Sequence, residues 1–149
     1  MSVGEVCKRE VVFISRDSTV AEAAKLMREH HVGALVVTGY EEGRQRPLGV
    51  LTDRDIVVEV IAEDLRPEDL LVGDVMSFEL ATVGEDDGIS EAIKMMKGRG
   101  VRRIPVINGG GDLVGIFTVD DVMELLAEEL SDLAKLVGYE QEREKATRK

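Results

Sequence analysis

The chain has 149 residues, a single cysteine, no tryptophan and a net charge of −11. That balance argues against a general DNA or RNA binder, which needs a basic face, yet leaves room for a small anion held by a few local arginines. Cys7 alone excludes an internal disulfide and fits a reducing cytoplasm, no stretch approaches the ~20 apolar residues of a membrane span, and the N-terminus lacks a basic-then-apolar signal pattern, so an intracellular protein is expected.

In chain order, Val11–Ile14 is a short apolar run that suits a strand. Thr19-Val-Ala-Glu22 has the Ser/Thr-x-x-Glu form of a capping box and predicts a helix start, with Val20, Ala23, Ala24 and Met27 as its apolar stripe. Ala34–Thr38 predicts a second strand, Gly39–Pro47 a loop and Leu48–Leu51 a third strand. A helix is expected from about Asp53 to Ala62, with Ile56, Val57, Val60 and Ile61 inward. A second series follows: a strand near Leu80–Val83, a helix near Ile89–Lys97, a strand at Arg103–Ile107, a turn at Asn108–Asp112 and a strand at Leu113–Phe117. The Asn-Gly-Gly-Gly-Asp turn reads as a hairpin, because no helix follows it directly and no Gly-Lys-Ser/Thr marks a phosphate loop.

The last helix is predicted to start near Val119 and to run past Leu130, with Val122, Leu125, Leu126, Leu130, Leu133 and Leu136 at helical spacing. Two readings stand for its length: packing along its own core, or contact with a second chain. Leucines that continue beyond the repeat favour the second. The acidic stretch Glu124–Asp132 reads as a solvated face over buried leucines, and the charged end Gln141–Lys149 is expected to fray. Met27, Met95, Met96 and Met123 read as core filler. His30 and His31 read as a helix end rather than metal ligands. Cys7 has no Cys or His partner in sequence for zinc. No nucleophile elbow, Walker loop or dinucleotide fingerprint is found.

The two series are one unit written twice. Shifted by 69 positions, Val3, Gly4 and Val6 meet Val72, Gly73 and Val75; Glu10 meets Glu79; Glu22, Ala23, Lys25 and Met27 meet Glu91, Ala92, Lys94 and Met96; Val32 and Val37 meet Val101 and Val106. After a loop three residues shorter in the second copy, Gly49, Thr52 and Asp55 meet Gly115, Thr118 and Asp121. We place the units at 1–64 and 70–130, followed by a helical extension and charged tail at 131–149. Two copies are too few for a solenoid, so a pseudo-symmetric pair is expected. Its order, β-α-β-β-α twice over, makes the fold class α/β, with small sheets covered by helices.

The duplicated Gly-x-x-Thr-x-x-Asp is the best pointer to function, and it has two readings. Thr and Asp at this spacing form a helix cap, worth about 1 kcal/mol without any ligand. Alternatively, a carboxylate at a strand-to-helix junction accepts hydrogen bonds from a vicinal diol such as a ribose. Such a carboxylate repels phosphate, which then needs cations of its own. Arg102 and Arg103, in Val-Arg-Arg-Ile-Pro-Val, have the guanidinium geometry for that task.

Gly-Val-Leu-Thr-Asp-Arg-Asp-Ile, Gly-Ile-Phe-Thr-Val-Asp-Asp-Val and Val-Arg-Arg-Ile-Pro-Val, in this order and in duplicate units, resemble a tandem pair of cystathionine-β-synthase (CBS) domains, a Bateman module, over about residues 1–130. The resemblance implies a non-catalytic regulatory module, often a flat disc-like homodimer. It would bind AMP, ADP or ATP, with AMP foremost, or S-adenosylmethionine, in clefts between its repeats, and act on an unidentified regulated protein. Carried over by residue, it implies two unequal clefts. In the first, Thr52 and Asp55 would hold ribose, Val50 and the stretch Met76–Ala81 (with Leu80 and Ala81) would line the base, and Arg102 and Arg103, beside Pro105, would meet phosphate together with Arg54. In the second, Thr118 and Asp121 would hold ribose, and Ile116 and the stretch Cys7–Val12 (with Val11 and Val12) would line the base. There Gly33 and Ala34 stand where the arginines stand in the other copy, and Val36 replaces the proline. Tighter binding at the first cleft is therefore expected. The competing reading is a ligand-free interaction scaffold in which the Thr/Asp pairs are caps only.

Overall fold

The structure is a computed structural model that describes residues 1–78 and 80–147. Glu79, within the stretch expected to line the first base, and Arg148 and Lys149 of the tail lie outside the described residues. The chain begins with a single helical turn, α1 (Val3–Val6). The first repeat continues as β1 (Phe13–Ser15), α2 (Val20–His30), β2 (Ala34–Glu41), β3 (Arg44–Thr52) and α3 (Asp53–Ile56), which runs on as a π-helical turn over Val57–Ile61. The second comprises α4 (Val72–Val75), β4 (Val83–Gly84), α5 (Ile89–Arg99), β5 (Arg103–Ile107), β6 (Leu113–Thr118) and α6 (Val119–Thr147). Each repeat forms a three-stranded sheet, β1-β2-β3 and β4-β5-β6, whose first pair is parallel and second antiparallel.

Local chemistry explains most of these elements. Thr19 caps α2 as expected: the Glu22 N–H donates to Thr19 Oγ1 at 3.1 Å, and the Thr19 N–H to Glu22 Oε2 at 3.3 Å. Helix α2 ends on His31 in the left-handed region (φ 55°), and α5 ends on Gly100 in the same conformation (φ 66°). Glycine takes that position without the Cβ clash that histidine must tolerate. The span Gly39–Pro47, expected to be a loop, is instead a long hairpin. Glu42 and Gly43 both have positive φ (53° and 76°), the pattern of a tight two-residue turn, so β2 and β3 pair almost to it. Glutamate at the first turn position hides that signal, since Asn, Asp or Gly usually stands there.

Proline sets one difference between the sheets. In the first, the Val36 N–H donates to the Val12 carbonyl at 3.3 Å and the ladder runs from Phe13↔Val36. Pro105 occupies the equivalent place in β5 and has no N–H to give. The second ladder therefore starts one residue later, at Val83↔Val106. Both first strands lie nearer the C-terminal side than the apolar runs Val11–Ile14 and Leu80–Val83 imply, and in the second sheet Pro105 adds to that shift.

The hydrophobic core exchanges segments between repeats. The first cluster gathers Val20, Ala23, Leu35, Val37, Leu51 and Val60 but also takes Val72 and Met76 from the second repeat. The second gathers Ala92, Met96, Ile104, Val106 and Phe117 and takes Val3 from the far N-terminus. Val3 and Val72 are fully buried, so each exchanged turn anchors itself with about 2 kcal/mol of hydrophobic burial. Backbone bridges continue the exchange: Lys8 pairs with Ile116, and Ser77 with Val50. The turns themselves carried a signal, Ser2-x-x-Glu5, in which the Ser2 N–H donates to Glu5 Oε2 at 2.9 Å.

Several inward assignments are corrected. Ala24 is exposed, and so are Val57 and Ile61, because the π turn after Ile56 rotates the helix face. Met27 and Met96 are core residues, but Met95 and Met123 are on the surface. The leucines of the last helix are not buried: Leu126, Leu130, Leu133 and Leu136 are all exposed. Beyond Leu125 the helix therefore does not pack along its own core. Helix α6 stays regular through Thr147, beyond the start of the expected fraying. No described helix is long and apolar enough to cross a membrane.

Candidate ligand-binding site

Each Gly-x-x-Thr-x-x-Asp unit forms a strand ending in a helix N-terminus. At the first junction the Asp55 N–H donates to Thr52 Oγ1 at 3.0 Å and the Thr52 N–H donates to Asp55 Oδ2 at 2.9 Å. At the second, the Asp121 N–H donates to Thr118 Oγ1 and the Thr118 N–H to Asp121 Oδ2, both at 3.2 Å. The capping reading is therefore correct, but it uses only one oxygen of each carboxylate. Oδ1 of both remains outside the box, so capping and ligand binding do not compete for the same atom.

The glycine of the motif has a reason that the sequence did not disclose. A Cβ on Gly49 would fall inside the Ser77 carbonyl oxygen and the Met76 Cε, and one on Gly115 would come within 2.8 Å of the Lys8 carbonyl oxygen and of Cys7 Sγ. Each glycine admits the segment arriving from the other repeat. That segment is what brings Val50 beside Ser77, and Ile116 beside Lys8. Val50 and Ile116 are half-buried next to the crossing stretches, but neither lines the cleft of Asp55 or that of Asp121.

The two junctions differ in charge and room. Asp121 is 5% exposed and its Oδ1 lies 3.6 Å from Lys8 Nζ. It lines a cleft of about 510 Å³ with Met1, Glu5, Val6, Glu124, Leu125 and Glu128. Asp55 is half-buried, forms no ion pair among the described residues, and lines a cleft of about 230 Å³ with Glu59, Leu65, Leu70, Asp74, Val75 and Ser77. Carboxylates dominate the polar lining of both. Burial pushes the Cys7 thiol above its ordinary range, an effect opposed by Arg9 and reinforced by Asp121 and Glu85. Lys8 was missed as a partner of Asp121, because only the exchange of segments brings them together.

The remaining expected site residues are placed as follows. The Arg102 carbonyl accepts from the Val119 N–H at 2.9 Å, and its guanidinium meets Asp120 of its own repeat at 3.9 Å, both side chains being about three-quarters exposed. Arg103 stands opposite Thr118 in the sheet, and buried Pro105 opposite Ile116. Neither arginine lines the cleft of Asp55. Gly33 repeats the backbone part, its carbonyl accepting from the Asp53 N–H at 2.9 Å, while Ala34 pairs with Thr52. Arg54 is exposed, and Leu80 and Ala81 are half-buried. Val11 and Val12 line a separate cleft of about 490 Å³ with Arg9, Glu10, Phe13, Leu26 and His30, not the cleft of Asp121. Among the described residues, no three His, Cys, Asp or Glu side chains come together as a metal site.

Comparison with known proteins places these features in context. The profile of the CBS domain matches twice, over residues 3–62 and 72–128. An uncharacterized protein of Methanopyrus kandleri is 37% identical over 125 residues, which cover 84% of this chain and 62% of that protein; the chain thus spans under two thirds of that relative's length. The crystal structure of Hypoxic Response Protein I with two coordinated zinc ions aligns with a TM-score of 0.73 at 33% identity, covering 83% of this chain and 98% of that one. A CBS domain pair crystallised with 5′-methylthioadenosine and S-adenosyl-L-methionine aligns with a TM-score of 0.72 at 20% identity, covering 87% of this chain and 98% of that one, a likeness of fold alone.

Proposed function

The chain belongs to the CBS domain family, and from that premise we propose that it is a non-catalytic regulatory module that binds adenine nucleotides, AMP foremost, at its two strand-to-helix junctions. The observation that carries this reading is the geometry of the Thr/Asp pairs. Each carboxylate is fixed through Oδ2 by its capping box, and each lines an open cleft beside a segment from the other repeat. A carboxylate oriented in this way is an acceptor for the two hydroxyls of a ribose.

The two sites are unequal in this proposal. Asp121 Oδ1 already faces Lys8, whereas Asp55 has no ion pair to give up among the described residues, so the first cleft takes the nucleoside more readily. Arg102 and Arg103 do not line the cleft of Asp55, so to meet the phosphate end their long side chains would have to reach across from the second repeat. The ion pair of Arg102 with Asp120 is solvent-exposed and worth at most about 1 kcal/mol, so it yields easily to a phosphate. The acidic lining of both clefts favours a second ligand, S-adenosylmethionine, whose sulfonium is cationic.

Calorimetric titration with AMP, ADP, ATP, adenosine and S-adenosylmethionine tests both readings. Expected are saturable binding of AMP, at least tenfold weakening by Asp55→Ala, and weakening by Arg103→Ala that spares adenosine. Occupancy of the Asp121 cleft alone rejects the ranking. The absence of binding by any of these compounds rejects the sensor in favour of a scaffold.

A further inference from the structure

We propose that α6 is an assembly element, which pairs antiparallel with α6 of a second copy of this chain. Its inner face holds to the body only near its start, through Val122 and Leu125; the next positions on that line are Glu129 and Asp132. A different stripe continues. Met123, Leu126, Leu130, Leu133 and Val137 are spaced alternately by three and four residues and are all exposed, Leu130 by 69%. This spacing is that of a two-helix coiled-coil seam, and a contiguous apolar stripe left exposed in one copy marks an interaction surface. Ala127 and Ala134 flank the seam and permit close approach.

Charge identifies the occupant and its direction. From Val119 to Ala134 the helix carries six acids and no lysine or arginine, whereas from Lys135 to Thr147 its three cations and three acids balance. A parallel pair would set the two acidic halves side by side. An antiparallel pair sets each acidic half against a balanced one and also opposes the helix dipoles. The seam is continuous at its base with an apolar groove of about 440 Å³ between α5 and α6, where Val119, Met123 and Leu126 meet Ile93 and Val101. Lys97 and Arg102 border that groove, and in the antiparallel arrangement the partner's helix end, with Glu140, arrives there.

Sedimentation equilibrium of the full chain is expected to give a dimer at micromolar concentration. Leu130→Glu with Leu133→Glu should weaken association at least tenfold, while circular dichroism shows the fold retained, since both side chains are exposed in one copy. A spin label at Ala146→Cys, in a Cys7→Ser background, should report an intermolecular distance above about 35 Å, against under about 20 Å for a parallel pair. A monomer at 100 µM, unchanged association of the double variant, or the short distance would each overturn the proposal. Nucleotide binding is not needed for any of these readings.

Discussion

The two repeats share a fold and a motif, yet their Thr/Asp junctions solve different electrostatic problems. The second encloses Asp121 almost completely and sets Lys8 beside it, next to the larger cleft. The first leaves Asp55 half-open with no ion pair among the described residues, next to the smaller one. One cause lies in the exchanged segments. Lys8 and Arg9 arrive at the second junction where Ser77 and Phe78 arrive at the first. Duplication preserved the backbone device, while the crossing residues tuned the charge.

The comparison breaks most sharply at the motif glycines. Gly49→Ala is expected to destabilise by about 3 kcal/mol, and Gly115→Ala by about 1–2 kcal/mol, because the first methyl meets main chain more closely than the second. Chemical denaturation checks the order, and equal losses would show that the crossing segments shift freely. Next come the helix ends. Gly100→His should cost about 1 kcal/mol and His31→Gly should gain about half that, both read as thermal midpoints. No gain from His31→Gly would mean that His31 holds its conformation through contacts worth the strain. Lys8→Ala is expected to cost only a few tenths of a kcal/mol, because Lys8 is mostly exposed, although its partner is buried. A loss above about 1 kcal/mol would make that ion pair structural. Finally, Cys7 should react with iodoacetamide more slowly than a free thiol at pH 8. Its raised pKa leaves less thiolate at that pH, and the difference should shrink as pH rises.

Much was legible in the chain itself. The duplication, the β-α-β-β-α order, the capping box at Thr19 and the Asn108–Asp112 turn all rest on local chemistry or on periodicity, which neighbouring residues specify. The Thr/Asp boxes were legible for the same reason, each closing within three residues. Helix α6 was visible in the spacing of its leucines, but not the face on which they lie. Burial depends on how long the body accompanies the helix, and that contact ends near Leu125.

Tertiary structure alone decided the exchange of segments. Val3 is buried among residues from Val83 to Val122, and Val72 among residues from Ile14 to Val60, contacts across many tens of residues for which no local pattern exists. From that exchange follow the requirement for glycine at Gly49 and Gly115, the meeting of Lys8 with Asp121, and the unequal charge of the two junctions. Sequence determined two copies of one unit, because backbone hydrogen bonding and side-chain period are short-range. The fold decided that each copy is completed by the other, because closing a hydrophobic core is a long-range event.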